Sequence, residues 1–203
     1  MRLRGIHYDI GTETIEAAST GPTLTIDQLK YDIGDIARGL QANAIRITDG
    51  DIRRMASAGQ VAARQGLEVW LSPMVPTADQ STTLSCIAEA ARVAEDLRQG
   101  RRTAVLVIGC ELSVFMSGIL PGATHAERFA VLADPNRLVG AVTAAGIDPQ
   151  AVFTAFLHTA LEMARSMFHG QVACASGAWE EVNWSRFDFV GVDAYRDASN
   201  REG

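Results

Sequence analysis

A carboxylate set directly after a buried apolar strand is placed for acid–base chemistry, because parallel α/β folds put their reactive groups at the C-terminal ends of their strands. The run TAVLVIG leads into GCELS, so Glu111 holds that position. Partial burial there raises a carboxyl pKa, the property a general acid needs. A glutamate at a strand end also caps loops or pairs with arginine, and position alone divides these readings evenly. Arg46 interrupts the apolar strand AIRIT. A guanidinium there must be paired or lie at the strand's solvent end. Pointing inward it could grip a carboxylate in bidentate fashion, and a structural ion pair with Asp9, Asp49 or Asp193 is equally open. His7 and Asp9 alternate with Ile6 and Tyr8 in the first strand, so one pair or the other faces the interior. Asp193 and Tyr195 close the sixth strand, again with an acidic residue at a strand end. Trp70, Trp179 and Trp184 carry rings on which the C–H face of a sugar would pack. Trp70, in mid-strand, is expected in the core, and Trp179 and Trp184, in GAWEEVNW, at a cleft.

These residues need a frame, and short apolar runs alternating with segments of helical period supply one. Strands are expected at Arg4–Tyr8, Ala44–Thr48, Leu67–Ser72, Thr103–Gly109, Gln171–Ala175 and Phe187–Tyr195. Helices are expected over Thr25–Leu40, Asp51–Gln65, Ser81–Gln99, Asn136–Ala145 and Asp148–Phe168. The first has Thr25 or Asp27 near its cap. Ser113–Thr124 reads as a loop long enough to be functional. The fourth strand is a continuous β-branched run, as in a parallel strand buried on both faces. Repeated βα units build barrels or doubly wound sheets, and periodicity does not separate the two. No linker divides the chain, so residues 1–203 read as a single domain.

Composition narrows the function classes. Apolar residues make up 47% and charged residues 21% of the 203, as in a globular protein. A net charge of −6 argues against nucleic acid or an anionic membrane as partner. No apolar run reaches the roughly 20 residues of a bilayer span, and MRLRGIHYDIG has no apolar core of a secretory signal. Cys86, Cys110 and Cys174 are widely spaced and form no CxxC, which suits reduced thiols and predicts a cytoplasmic location. His7, His125, His158 and His169 show no metal spacing, so no metal and no cofactor are expected. Neither a GxGxxG, a GxxxxGK[ST] nor a GxSxG motif occurs, which removes support for nucleotide-dependent or serine-hydrolase chemistry.

Taken together, RGIHYDIGT, NAIRITDGD, GLEVWLSP, GCELSVFMSGILPG, ASGAWEEVNW and FDFVGVDAYRD resemble actinobacterial TIM-barrel proteins commonly labelled abortive infection proteins. Those are similar to the large clan of retaining glycosidases. The resemblance implies a (β/α)8 barrel of which about six units lie in this chain, an incomplete or open barrel. It implies Glu111 as general acid/base, with Cys110 where the clan usually has asparagine. Arg46 takes the place of the arginine that supports the nucleophile, and Tyr195 that of a supporting aromatic hydroxyl. The clan's nucleophile belongs at the end of a seventh strand. The six strands here supply only Asp193 in its stead, whereas retaining hydrolysis needs two carboxylates roughly 5 Å apart. His7, Asp9, Trp179 and Trp184 are then the expected substrate contacts. Two functions compete: retaining-type hydrolysis of a carbohydrate, and a non-catalytic carbohydrate-binding or protein-interaction module linked to phage defence. Open edges on strands one and six invite pairing with a second copy.

Overall fold

The computed structural model describes residues 3–11 and 24–193. Strands β1 (Gly5–Asp9), β2 (Ala44–Asp49), β3 (Glu68–Pro73), β4 (Ala104–Cys110), β5 (Gln171–Gly177) and β6 (Phe189–Asp193) form one sheet, each parallel to its sequence neighbour and in the order of the chain. Helices α1 (Ile26–Arg38), α2 (Ile52–Arg64) and α3 (Gln80–Gln99) follow β1, β2 and β3 in turn. Four helices separate β4 from β5: α4 (Leu112–Phe115), α5 (His125–Leu132), α6 (Pro135–Ala145) and α7 (Pro149–Met167). The expected cap at Thr25 forms, and Asp51 caps α2 in the same way, as hydroxyl or carboxylate oxygens meet first-turn amides. Thr25 Oγ1 accepts from Gln28 N at 3.2 Å, and Asp51 Oδ1 accepts from Arg53 N at 2.9 Å.

Strand parity sorts the side chains into two cores. Ile45, Ile47, Val69, Leu71, Leu106, Ile108 and Val172 pack against Ile33, Met55, Ile87, Ala91, Phe153 and Leu157 of the helices. The opposite face carries a smaller cluster of Val105, Val107, Ala173 and Ala175, joined by Trp70, Cys110 and Phe189. A flat sheet would hold β2 and β6 about 19 Å apart, four interstrand spacings. Yet Arg46 Nη1 on β2 lies 3.9 Å from Asp193 Oδ1 on β6. The sheet is therefore curled, with the smaller cluster on its concave side, and the fold is an α/β barrel of six units, an incomplete TIM barrel. Trp70, expected in the core, stands on this concave side with its ring centroid 4.7 Å from that of Phe189. Ile6 and Tyr8 turn to the helix side, where Tyr8 Oη donates to Asp32 Oδ2 of α1 at 2.6 Å, leaving His7 and Asp9 the concave face.

The sheet departs from regularity near its centre. The β4–β5 register shifts between Val107 and Cys110, so two consecutive residues, Ile108 and Gly109, lie toward the helices before Cys110 returns to the concave side. Leu112 folds back over Gly109, where an added Cβ would meet its Cγ at 2.8 Å. Gly109→Ala is accordingly expected to cost about 1–3 kcal/mol through overpacking, read as a lowered urea midpoint at unchanged m-value. Two expectations need correction at the edges. The sixth strand starts at Phe189 rather than Phe187, because residues 184–186 form a 3-10 turn. The Ser113–Thr124 loop begins inside the short helix α4, and α5, not expected from the sequence, follows it. On β6, Val190 and Val192 are 66% and 54% exposed on the helix side. No single helix among the described residues is long and apolar enough to cross a membrane.

Candidate active site

Register places three functional side chains in one layer across the concave face: His7, Arg46 and Trp70 are direct partners on β1, β2 and β3. One layer nearer the strands' C-terminal ends lie Asp9, Thr48 and Ser72. His7 Nε2 is 2.7 Å from Thr48 Oγ1, and Arg46 Nη2 donates to Ser72 Oγ at 3.1 Å. Arg46 Nη1 faces Asp193 from the far side, and Cys110 Sγ donates to Asp193 Oδ2 at 3.6 Å. One cation, one carboxylate, one thiol and one imidazole from four strands thus converge on the curled face. Arg46 finds its partner in Asp193; Asp49 is taken by Arg54 on the opposite side of the sheet. Burial lowers the His7 pKa, with Arg46 acting in the same sense, while Asp9 and Asp193 oppose. Its imidazole is therefore neutral at pH 7.

Glu111 follows β4 without a break. Its backbone is left-handed, φ 44° and ψ 48°, a conformation that costs a non-glycine residue about 1 kcal/mol. The turn is held from three directions. Glu111 N donates to Ala175 O at 2.9 Å, extending the β4–β5 pairing, and Glu111 O accepts from Val114 N and Phe115 N at 3.0 Å each. The side chain is 1% exposed and does not cap α4. Strained backbone at a strand end, over-determined by its neighbours, is typical of functional positions.

The other expected site residues lie at the edge of this cluster or away from it. Asp9 Oδ1 accepts from Gly11 N at 3.0 Å at the end of β1. Trp179 stands at the rim beyond β5, 37% exposed, its Nε1 donating to Ser113 Oγ at 3.0 Å and its ring lying over Gly177. Its edge meets Phe129 of α5, whose ring centroid is 6.2 Å away. Trp184 does not reach a cleft: it packs beside Phe187 against the helix-side core, since the 3-10 turn rotates it away from the concave face. Tyr195 lies outside the described residues.

Glu180 was not singled out from the sequence. Its Oε1 accepts from Ser113 N at 2.7 Å and its Oε2 from Gly177 N at 3.0 Å, so it ties the turn after β4 to the end of β5. Burial pushes its pKa up, and the amide donors pull it back. The signal was present in GAWEE, an acidic residue just past a strand end, the same criterion that marked Glu111 and Asp193.

Cys110 occupies the middle of the cluster, and its thiol is pushed up from 9.0 to about 11, first by burial and then by Asp193, with Arg46 opposing. At pH 8 its thiolate fraction is then lower by about 10² than that of an ordinary cysteine. Alkylation by iodoacetamide, followed by peptide mass spectrometry, is expected to be slower at Cys110 in the native protein by that factor relative to urea-unfolded chain. Among the described residues no group of three or more His, Cys, Asp or Glu side chains is placed to hold a metal ion.

No family model and no curated protein matches the sequence. Among solved structures the chain is similar to a GH113 beta-1,4-mannanase, with a TM-score of 0.57 at 13% identity, over 95% of this chain and 62% of that one. The chain therefore spans less than two thirds of that mannanase's length. At such identity the likeness bears on architecture alone, and it agrees with the curl deduced from Arg46 and Asp193: the chain has the fold of a TIM barrel, present here as six units.

Proposed function

We propose that the concave face is the active face of a glycoside hydrolase of the retaining type, acting on a carbohydrate. The supporting observation is the convergence of Arg46, Cys110 and Asp193 beside the strained strand-end turn that carries Glu111. Glu111 is the general acid/base, protonating the glycosidic oxygen and later activating water. Asp193 is the second carboxylate, and Arg46, bonded to Ser72, orients it. His7 and Asp9 meet substrate hydroxyls from β1, with the neutral His7 able to donate as well as accept. Retention needs the two carboxylates roughly 5 Å apart, so the reading requires Glu111 and Asp193 to approach that separation in the complex. The mannanase likeness makes β-1,4-linked manno-oligosaccharides the first substrates to try.

The burial of Glu111 favours a second reading, a non-catalytic carbohydrate-binding or protein-interaction module, because a general acid must reach the glycosidic oxygen. One experiment separates the two. Manno-oligosaccharides and aryl glycosides are incubated with the protein, with binding followed by calorimetry and products by chromatography. Release of shortened, anomer-retained product supports hydrolysis. Saturable binding without product over days moves the concave face to the second reading, and the absence of both removes carbohydrate from either.

A further inference from the structure

A cavity of about 370 Å³ lies under α6, between that helix, the start of α7 and the loops that follow β4 and β5. Its apolar wall includes Leu138 and Val142 of α6, Phe153 of α7 and the ring of Trp179. Its volume falls in the range of small-molecule sites. Helix α6 is the odd element around it. Its sequence PNRLVGAVTAA is mostly apolar, it is capped at its N-terminus by Asp134 and ended by Gly146 at φ 63°, and yet none of its residues is buried. Every other helix longer than one turn that packs on this barrel has buried residues. An apolar helix with nothing buried gains stability when something fills the space beneath it.

The charges around the cavity are of one sign. Asp148, Glu180 and Glu181 line it, and no lysine, arginine or histidine among the described residues does. Asp148 is fixed in place as the cap of α7, its Oδ1 accepting from Gln150 N at 3.0 Å and Ala151 N at 3.1 Å. Glu180 is fixed by Ser113 and Gly177. Such a rim repels an anionic head group and attracts a cationic one, and the partly exposed ring of Trp179, which lines the cavity, is available as a cation–π partner. We propose that this cavity is a binding site, separate from the concave face, for a small molecule with an apolar body and an ammonium head. Its apolar body would lie against Leu138, Val142 and Phe153, bringing α6 down onto it.

Three probes of one shape test this: 4-phenylbutylamine, 4-phenylbutan-1-ol and 4-phenylbutyrate, each titrated at millimolar concentration into the full chain at pH 7 by calorimetry. The amine is expected to bind at least ~10-fold more tightly than the alcohol, and the carboxylate not at all. Val142→Trp, which fills the cavity, is expected to weaken the amine at least ~10-fold at an unchanged melting temperature. Glu181→Gln, an exposed substitution without consequence for folding, is expected to narrow the gap between amine and alcohol. Equal binding of amine and alcohol, binding of the carboxylate, no binding of any probe, or amine binding indifferent to both variants would each overturn the proposal.

Discussion

Glu111→Gln is expected to lower kcat/KM on an unactivated manno-oligosaccharide by about 10²–10⁴, the usual worth of a positioned general acid. Gln keeps the size of the side chain and the backbone bonds of Glu111 to Ala175, Val114 and Phe115, so the turn survives. What it loses is the proton. A sugar alkoxide is a poor leaving group and needs that proton as the bond breaks, whereas a dinitrophenolate leaves without it. The loss on a dinitrophenyl glycoside should therefore shrink to within about tenfold for the bond-breaking step. That split distinguishes proton donation from a structural role, which would depress both substrates alike. Asp193→Asn offers the contrast: a nucleophile or charge stabiliser is needed whatever the leaving group, so its loss should be the same on both. Equal rates for Glu111→Gln and wild type on the oligosaccharide would take Glu111 out of the chemistry.

Much of the frame that holds Glu111 was legible because burial writes itself into sequence. TAVLVIG has the pattern expected of a strand covered on both sides, and five of its residues, Ala104–Ile108, are indeed buried. Arg46 and Asp49 are three residues apart on one strand and so point to opposite faces, which alone removes Asp49 as a partner for Arg46. Choosing Asp193 over Asp9 needed the curl of the sheet, a property of six strands together that no local pattern records. The bulge at Ile108–Gly109 was equally hidden, since an added residue in a strand that is apolar on both faces leaves no break in alternation. Helix α5 escaped notice because HAERFAVL spans two turns and buries only Arg128, whose guanidinium donates to the backbone oxygens of Val114 and Gly122 rather than to a core. Trp184 shows the reverse error: an aromatic in a polar loop looked exposed, and tertiary packing with Phe187 overrode its surroundings in sequence.

The ion pair that Asp49 does make carries the largest expected effect on stability. Asp49 is fully buried, and Arg54 in the first turns of α2 grips it with two bonds, Nη2 to Oδ1 at 2.7 Å and Nε to Oδ2 at 2.5 Å. The same Nη2 donates to Gly11 O, so the pair also fastens the chain leaving β1, and Asp51 N donates to Asp49 Oδ1 at 3.0 Å. Arg54→Met retains most of the apolar stem and removes the charge. It strands a carboxylate in the core with one amide donor from Asp51, a loss expected to be about 3–5 kcal/mol. Asp49→Asn with Arg54→Met removes the stranded charge as well and should recover at least about half of that, because a buried pair owes much of its apparent worth to the penalty of breaking it one-sidedly. Urea unfolding of the two single variants and the double variant measures this directly. If Arg54→Met lowers stability by less than about 1 kcal/mol, solvent reaches Asp49 and the pair is of the surface kind. If the double variant is as unstable as the sum of the singles, the bonds to Gly11 and Asp51, rather than the charge pairing, hold the start of the barrel together.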